Sequence, residues 1–438
     1  MSATLFEGFR KNLAVKNADE ISGRYLAITR RLNKDYYDTD SDYAHCLQVG
    51  SYGRNTAIHG VSDLDMAFEL SWSVHDRICK EGGNVQQALL NEVRDKLKVL
   101  YPTTPIRADG QVVAVQFKNY RVEVLPAFVE ADGRYKYPDA NEEGKWRWCH
   151  PRDEIEAVQE IHLRSNHNHK RVCKMLRAWK NKHGAPMSGM LIDTLAYNFF
   201  KSNTAYDNKS YGSYPGLVKD VFAFLGEQPE QTFWRAPGSD DRVSSTGKFQ
   251  SKAKKAAKRA QEALDAETEK EKHKLWKKIF GRHFPALSTA TVTATTEVVG
   301  RSALPSTEEF IEDEYPVDIL YEVEVECDVQ YRGVKERAYR FLEATFPWLQ
   351  IDRNLLFKVV SCNVPKPYKV VWKVRNRGEY AEKKGIRGQL LDDEGRGERR
   401  ERTDFPGRHY VECYIIKNDV CVARTRISVP IGEVKNVV

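Results

Sequence analysis

The sequence predicts an α/β (α+β) fold that is followed by a β-rich, sandwich-like domain. Two short apolar runs, at 47–49 and 64–68, flank a glycine turn as neighbouring strands do. Residues 84–100 carry apolar side chains at helical spacing, which predicts a helix covering a mixed or mostly antiparallel sheet. Beyond residue 309 apolar and polar residues alternate instead, which is typical of half-buried strands.

Length and composition limit the class of protein. A chain of 438 residues, of which 41% are hydrophobic, can bury two or three cores and is not disordered. The net charge of +7 is compatible with anionic substrates. Eight cysteines without a C-x-x-C pair, and no secretory leader, favour a reducing cytoplasm. No apolar run approaches the roughly 18 residues of a membrane span, so we expect no membrane insertion.

The first segment, from Leu5 to about Asp35, has apolar residues near helical spacing with basic residues between them. This pattern predicts one long amphipathic helix that packs behind the sheet. The basic residues leave a second hypothesis open, which is a ridge that binds nucleic acid. That ridge would consist of Arg24, Arg30, Arg31 and Lys34.

The glycine turn has the composition of a phosphate-binding loop. Gly50 lets the backbone pass close to an anion, and Ser51 adds a hydroxyl to the amides of the turn. Asp63 and Asp65 follow two residues apart on the next strand, so both carboxylates leave the same face. Such a pair can hold Mg²⁺ beside a triphosphate. The alternative is an edge strand with solvated carboxylates.

A catalytic pair of this type needs a third carboxylate from a neighbouring strand. Residues 111–117 and 121–126 predict a hairpin in which Glu123 stands between two valines. Glu123 is therefore the candidate for the third carboxylate. A surface position without function is the alternative.

A cluster of cysteines and histidines lies between Trp146 and Cys173 and suggests a zinc site. Its spacings match no standard zinc finger, which favours structural histidines over ligands. The cluster consists of Cys149, His150, His162, His167, His169 and Cys173.

The middle of the chain is predicted to be helical. Residues 170–180 have the pattern of a helix with a basic face. Residues 251–280 are rich in Ala, Lys, Glu and Arg, which predicts one long charged helix. Residues 286–308 are dominated by Ala, Ser, Thr and Val without a helical period, so we expect a linker there.

The last 130 or so residues are predicted to form a sandwich. The alternation from Val317 to Tyr331 recurs from Tyr368 to Val374, and residues 417–419 turn a hairpin. Trp372 lies in an alternating strand, which favours a place in the core over a stacking platform for a ligand. Basic residues near these strands suit either an anionic ligand or a solvated rim. They are Arg375, Arg377, Arg387, Arg399, Arg400, Arg402 and Arg408.

The pattern G-S-Y-G-(x)₉-D-L-D, followed by V-E-V-L-P-A-F, resembles bacterial cyclic-oligonucleotide synthases related to cGAS and oligoadenylate synthase. The resemblance covers about residues 1–285 and implies a polymerase-β-like nucleotidyltransferase palm with a helical lobe. It also implies that Gly50 and Ser51 hold the donor triphosphate. Asp63, Asp65 and Glu123 would be the catalytic residues and would hold two Mg²⁺, or Mn²⁺, although the family usually has aspartate where this chain has Glu123.

Further substrate-binding residues follow from the same resemblance. Arg177 takes the lysine position of the family helix h-h-K-x-W, so it keeps a charge for the donor phosphates. The segment Pro186–Asp193 resembles P-x-x-S-(x)₃-E, which carries Ser188 over as a phosphate ligand. Arg54 and Lys174 complete the predicted set. The end of the chain resembles the sensor domain that some of these synthases carry at their C-termini.

The resemblance implies a cytoplasmic enzyme that joins nucleoside triphosphates, ATP and GTP among them, into a cyclic di- or trinucleotide second messenger for antiphage defence. The product would act on a downstream effector protein, and the C-terminal domain would bind a nucleotide or nucleic acid. A linear polymerase and a catalytically silent nucleotide sensor are the alternatives. The expected domains are a palm at 1–165, a helical lobe at 166–285, the linker at 286–308 and the sensor at 309–438.

Overall fold

A computed structural model describes residues 2–15, 18–60, 63–287, 309, 311–315, 317, 319–331, 334–338, 348–376, 381, 387–393 and 395–432. The chain divides into two units, Met1–Thr293 and Ala294–Val438. The predicted linker at 286–308 lies outside the described residues, apart from Ala286 and Leu287.

A mixed seven-stranded sheet forms the centre of the first unit. Its strands are β1 (Cys46–Gln48), β2 (Leu64–Glu69), β3 (Ile106–Asp109), β4 (Val112–Gln116), β5 (Arg121–Val129), β6 (Tyr135–Asp139) and β7 (Lys145–Cys149). The order is β1-β2-β5-β4-β3, and β6 joins β5 to β7. β2 and β5 run parallel, whereas the other pairs are antiparallel, so the predicted mixed sheet is confirmed.

Helices cover this sheet and form a lobe beside it. They are α1 (Ser2–Leu13), α2 (Ala18–Tyr37), α3 (Gly50–Gly53), α4 (Trp72–Cys79), α5 (Val85–Leu100), α6 (Pro151–Arg164), α7 (Asn168–His183), α8 (Gly189–Ser202), α9 (Tyr214–Glu227), α10 (Gln250–Asp265) and α11 (Glu269–Phe280). A short hairpin, β8 (Phe233–Arg235) and β9 (Arg242–Ser244), belongs to the lobe. α5 begins where the sequence predicts, because the side chain of Asn84 accepts a hydrogen bond from the amide of Gln87.

The single N-terminal helix predicted for residues 5–35 is wrong, because two helices stand there. Phe6 and Phe9 of α1 pack into the core of the helical lobe, around Phe280. Ile28 and Leu32 of α2 pack into the core of the sheet instead. The two halves of one apolar pattern therefore pack into two separate cores, and the helix is interrupted between them.

The long charged helix predicted for residues 251–280 is also two helices, α10 and α11. Thr268 starts the second one, because its hydroxyl accepts the amide of Glu271 at 3.2 Å and donates to the carboxylate of Glu271 at 3.0 Å. The side chain of Thr268 therefore caps the first turn of α11, as Ser and Thr commonly do at the start of a helix. Alanines of α10, such as Ala253 and Ala260, are buried and let this helix pack closely in the lobe.

The second unit is a sandwich of two four-stranded sheets. One sheet has the order β11-β10-β12-β15 and the other β14-β13-β16-β17. The strands are β10 (Val323–Tyr331), β11 (Val334–Ala338), β12 (Asn354–Cys362), β13 (Lys369–Arg375), β14 (Leu390–Asp392), β15 (Glu398–Arg402), β16 (Gly407–Lys417) and β17 (Val420–Ile431), with a short helix α12 (Ile311–Glu314) before them. Phe357 of one sheet and Trp372 of the other are fully buried in the same core.

Two details of the second unit depart from or agree with the sequence pattern. The strand predicted from Val317 begins only at Val323, and Val317 forms an isolated bridge with Cys421. The hairpin turn agrees, because Asn418 and Asp419 both adopt positive φ between β16 and β17. Across the described residues, no helix combines the length and the apolar character that crossing a membrane requires.

Candidate active site

A cavity of about 660 Å³ opens in the first unit between the sheet and the helical lobe. Gly50 and Ser51 line it on one side, and strand β5 lines it with three side chains two residues apart. These three side chains share one face of the strand, because a strand has a period of two. They are Arg121, Glu123 and Leu125. The start of α6 and parts of α7 and α8 complete the wall.

Gly50 is required by a close approach to Asp65. Its φ is +61°, and a Cβ at this position would lie 2.0 Å from Oδ2 of Asp65. The amide of Val49 also donates to the carbonyl of Asp65, at 3.0 Å. Any side chain at position 50 would therefore both strain the backbone and displace the carboxylate of Asp65.

The three predicted acidic residues come together at the floor of the cavity. Asp65 of β2 stands directly opposite Glu123 of β5 in the parallel register, and Asp63 lies just before β2. Burial and the neighbouring Glu123 raise the pKa of Asp65 to about 7, and Asp63 adds to the effect. Burial also raises the pKa of Glu123. The cluster therefore holds more negative charge than its surroundings neutralise.

Arg121 supplies one positive charge to this cluster. Its Nη2 forms an ion pair with Glu123 and lies 3.4 Å from Oδ2 of Asp63. Within the ranges that the structure describes, no three His, Cys, Asp or Glu side chains are grouped as metal ligands would be. The donor set nevertheless suits a divalent cation, because three carboxylates with a surplus of negative charge are the oxygen ligands that Mg²⁺ prefers.

A second set of charges lies deeper in the same wall, around Asp193 of α8. Its carboxylate accepts hydrogen bonds from Nε of Arg54 at 3.0 Å, from the hydroxyl of Thr56 at 2.9 Å and from Arg177 at 2.5 and 2.9 Å. Arg54 also pairs with Glu154 at 3.0 Å. Burial alone would raise the pKa of Asp193, but the two guanidinium groups hold it well below its usual range.

Four residues predicted to bind substrate have contacts within the protein. Arg54 and Arg177 line the cavity, but both are buried and their guanidinium groups bind Asp193. They therefore hold the wall together, and their role as phosphate ligands stays a prediction. The hydroxyl of Ser188 accepts the amide of Leu191 and caps α8.

Lys174 points its ammonium group to the side chain of Asn55, at 3.3 Å. Of the described residues around the cavity, Gly189 belongs to the lining, whereas Ser188 and Lys174 do not.

Sequence reasoning missed many residues of the cavity, including four with polar side chains. Lys180 and Asn181 of α7 line it, three and four residues after Arg177 and so on the same face of the helix. Arg121 and Tyr137 line it as well. The helical and strand periods give signals for Lys180 and Arg121, whereas nothing local to the sequence indicates Tyr137.

Two histidines of the histidine and cysteine cluster, His162 and His169, are buried in the lobe. Burial lowers the pKa of His169 to about 4, and burial likewise holds the pKa of His162 well below its usual range. Both imidazoles are therefore neutral inside the lobe. Cys173 is buried and lies with its sulfur 3.7 Å from Nε2 of His169.

Three of the basic residues predicted in the C-terminal unit pair with acids. Arg387 and Arg399 both bind the carboxylate of Glu401, and Arg402 binds Asp352. Arg377 lies outside the described residues, and the side chain of Arg408 is not described either. Trp372 is buried and donates to Asp393 at 2.9 Å, which confirms a place in the core.

Two family models match the chain. The Second Messenger Oligonucleotide or Dinucleotide Synthetase domain matches residues 1–161, which include the glycine turn and all three acidic residues. The Adenylyl/Guanylyl and SMODS C-terminal sensor domain matches residues 305–432, which include both sheets of the sandwich.

Solved structures show the same fold for the first unit. CdnC from E. coli MS115-1 matches both with ATP and in its complex with HORMA-deltaN, at a TM-score of 0.51 in each case. The identities are 16% and 14%, and each match covers 65% of this chain and 99% of CdnC. CdnG from Bradyrhizobium diazoefficiens, in complex with GTP, matches at a TM-score of 0.47 with 12% identity, over 64% of this chain and 94% of CdnG. No curated protein matches the chain.

The matched models, the mixed sheet and the three facing carboxylates agree with one another. The two CdnC structures establish the polymerase-β-like architecture independently of sequence identity. The chain therefore carries a second messenger oligonucleotide or dinucleotide synthetase domain, which is a nucleotidyltransferase domain, and a C-terminal sensor domain of the adenylyl/guanylyl and SMODS type.

Proposed function

We propose that this chain joins nucleoside triphosphates into a cyclic di- or trinucleotide second messenger and releases pyrophosphate. The observation that carries the proposal is the facing pair Asp65 and Glu123, with Asp63 beside them, at the floor of a 660 Å³ cavity. A cavity of this size accommodates nucleotides. ATP is the first candidate substrate, since CdnC, which shares the fold, was solved with ATP, and GTP is the second.

Asp63, Asp65 and Glu123 would hold two divalent ions, Mg²⁺ or Mn²⁺. Bound there, such ions neutralise phosphoryl charge and lower the pKa of an attacking hydroxyl. The carboxylate of Glu123 would accept the proton of the ribose hydroxyl. Gly50 and Ser51 would lie close to the donor triphosphate. Lys180 would supply positive charge to the triphosphate, because the guanidinium groups of Arg54 and Arg177 bind Asp193.

The biological role that we propose is antiphage defence in the cytoplasm, in which the product acts on a downstream effector protein. The C-terminal domain would keep the enzyme inactive until this domain binds a nucleotide or nucleic-acid ligand. The matched family description, a sensor domain, supports this division of labour. Calorimetry of the full chain with nucleotides and short RNA tests whether the C-terminal domain binds a ligand. A parallel assay of product formation, with and without that ligand, tests whether binding activates the enzyme.

The decisive experiment is a product analysis with the purified full-length chain. Incubation with the four ribonucleoside triphosphates and Mg²⁺ should release pyrophosphate and yield a product whose mass equals that of two or three nucleoside monophosphates less one water for each phosphodiester bond of the ring. Phosphatase should leave this product intact, because a ring has no terminal phosphate. A phosphatase-sensitive ladder would identify a linear polymerase instead.

One observation favours a second candidate, a catalytically silent nucleotide sensor. Arg121 pairs with Glu123 and approaches Asp63, so two of the three carboxylates already have a cationic partner. Tight binding of ATP together with no pyrophosphate release at any concentration of Mg²⁺ or Mn²⁺ would support this candidate. Pyrophosphate release that is lost in the Asp63→Asn variant would exclude it.

A further inference from the structure

A second cavity lies in the helical lobe, between the later half of α8 and the hairpin of β8 and β9. Its volume is about 440 Å³. Tyr197 and Lys201 of α8 line one side, and Phe233 and Arg235 of the hairpin line the other. We call it the hairpin cavity. It shares none of its lining residues with the candidate active site.

The hairpin presents an aromatic ring between two cations. Trp234 and Val243 are buried in the lobe, so the alternate residues of both strands face outward. The guanidinium carbons of Arg235 and Arg242 lie 5.2 Å and 4.4 Å from the centre of the Phe233 ring. On the facing helix, the ammonium group of Lys201 lies 5.6 Å from the ring centre of Tyr197.

These cations are not balanced by acids. Arg235 and Arg242 stand directly opposite each other in the antiparallel register, where like charges destabilise a hairpin. Nη1 of Arg235 donates to the carbonyl of Asp240, and the carboxylate of Asp240 is the acidic group among the lining residues of this cavity. Among the ion pairs of the described residues, none involves Lys201, Arg235 or Arg242. Two cations of the lining, Lys201 and Arg235, therefore meet one carboxylate, and Arg242 adds positive charge beside the Phe233 ring.

We propose that the hairpin cavity binds a nucleoside phosphate. Aromatic rings and cations together recognise a base by stacking and a phosphate by charge. Tyr197 and Phe233 provide the rings, and Lys201, Arg235 and Arg242 provide the charge. An anion would relieve the repulsion between the two arginines. The ligand is either a free nucleoside triphosphate or the oligonucleotide product, which share this chemistry.

The position of the hairpin gives such a ligand a route to the active site. A Cβ at Gly238, in the hairpin turn, would lie 2.2 Å from the carbonyl oxygen of Asp153 at the start of α6. Oδ2 of Asp241 lies 3.2 Å from Nδ1 of His150. Glu154, one residue after Asp153, lines the active-site cavity. A ligand in the hairpin cavity would therefore act on the segment of α6 that lines the active site, whichever product the enzyme makes.

Binding in the absence of metal tests the proposal. In EDTA the candidate active site lacks the ions that would neutralise a triphosphate, whereas the hairpin cavity carries its own cations. We expect calorimetry of the full-length chain in EDTA to detect ATP binding. The double variant Arg235→Glu and Arg242→Glu should weaken it at least tenfold, and Phe233→Leu should weaken it less. Lys270→Glu, which removes an exposed cation of α11, is the matched control and should bind as the unaltered chain does.

Further measurements distinguish the triphosphate from the product as the ligand and detect variants that do not fold. Tighter binding of cyclic di-AMP than of ATP would identify the product as the ligand, and the reverse would identify the triphosphate. Arg235→Gln and Arg242→Gln keep the hairpin free of new charge, and thermal melting checks that each variant is folded. Equal binding by the folded glutamine variants, no ATP binding in EDTA, or equal competition by inorganic tripolyphosphate would each overturn the proposal.

Discussion

Two clusters of acids and arginines share the wall of one cavity, and they differ in charge balance. Around Asp193, two carboxylates meet two guanidinium groups, those of Arg54 and Arg177, and all are largely buried. Around Asp65, Arg121 pairs with two of the three carboxylates, the charge of Arg54 acts on Asp65 from the other cluster, and the side chain of Asp63 is 45% exposed. A group of acidic residues therefore does not by itself indicate a metal site. Only in the accessible cluster is negative charge left without a cationic partner, so only there could a cation bind.

The pKa directions agree with this contrast. Despite its burial, Asp193 has a pKa well below the usual range, because its arginines stabilise the charged form. The pKa of Asp65 is raised to about 7 by burial and by the neighbouring Glu123, because the charged form lacks sufficient partners. The first cluster stabilises the fold, and the second is suited to bind cations.

The largest effect should follow from breaking the balanced cluster. Asp193→Asn leaves the buried Arg177 without a carboxylate partner, which we expect to lower the free energy of unfolding by about 3–5 kcal/mol. Urea unfolding followed by circular dichroism measures it. The exposed Asp76→Asn on α4 serves as the control and should change stability little. A stable Asp193→Asn variant would show that the ion pairs around Asp193 contribute little to stability.

Changing the unbalanced cluster should abolish activity and leave the fold intact. We expect the double variant Asp63→Asn and Asp65→Asn to lower the rate of pyrophosphate release at least about 100-fold, since each change removes an anionic ligand for the ions. Its melting temperature should not fall. Retained turnover in this variant would contradict the assignment of the active site.

Two variants of Glu123 distinguish whether activity requires the negative charge of this side chain or its length. Glu123→Gln should lower turnover about 30-fold or more, because the neutral amide neither holds an ion nor accepts a proton. Glu123→Asp should retain more activity, since it keeps the charge and aspartate is the usual residue of the family. Steady-state pyrophosphate release compares the two variants. If the amide variant equals the unaltered enzyme, the third ligand comes from elsewhere.

The raised pKa of Asp65 predicts a pH dependence of the metal-free chain. Because its folded pKa, about 7, lies above the ordinary value of 3.8, the folded chain binds this proton more tightly than the unfolded chain. This group's contribution to stability therefore falls as the pH rises from about 4 to about 7. In EDTA, we expect Asp65→Asn to be more stabilising at pH 8 than at pH 5, by about 2 kcal/mol. Denaturant unfolding at both pH values checks the sign.

The smallest effect concerns Arg121, which competes with cations for Asp63 and Glu123. Arg121→Gln should raise the affinity of the chain for Mn²⁺ about tenfold, since an ion then no longer displaces a guanidinium group. Electron paramagnetic resonance of free Mn²⁺ measures the affinity without turnover. Arg134→Gln, which removes an arginine that pairs with Glu130 and Asp132, is the control. A weaker affinity would show that Arg121 assists the ions.

Much of the scaffold could be predicted from the sequence because its signals are local. The mixed sheet, helix α5 and the hairpin of β16 and β17 all follow from periodicity and turn residues. The break after residue 265 has a local signal too, Thr268 followed three residues later by Glu271, which composition alone did not reveal. The break between α1 and α2 has the same kind of signal in the sequence, Asn17 followed three residues later by Glu20, and the two helices pack into two different cores.

The acidic residues of the candidate site could be predicted from the sequence, since a two-residue period places Asp63 and Asp65 on one face and the strand pattern indicates Glu123. The contacts of the arginines could not, because they depend on the tertiary structure. Arg54 and Asp193 are separated by 139 residues, and their ion pair depends on how the lobe packs against the sheet. Charges pair through space, so a basic residue that is suited to a phosphate by sequence can be bound to a buried carboxylate instead.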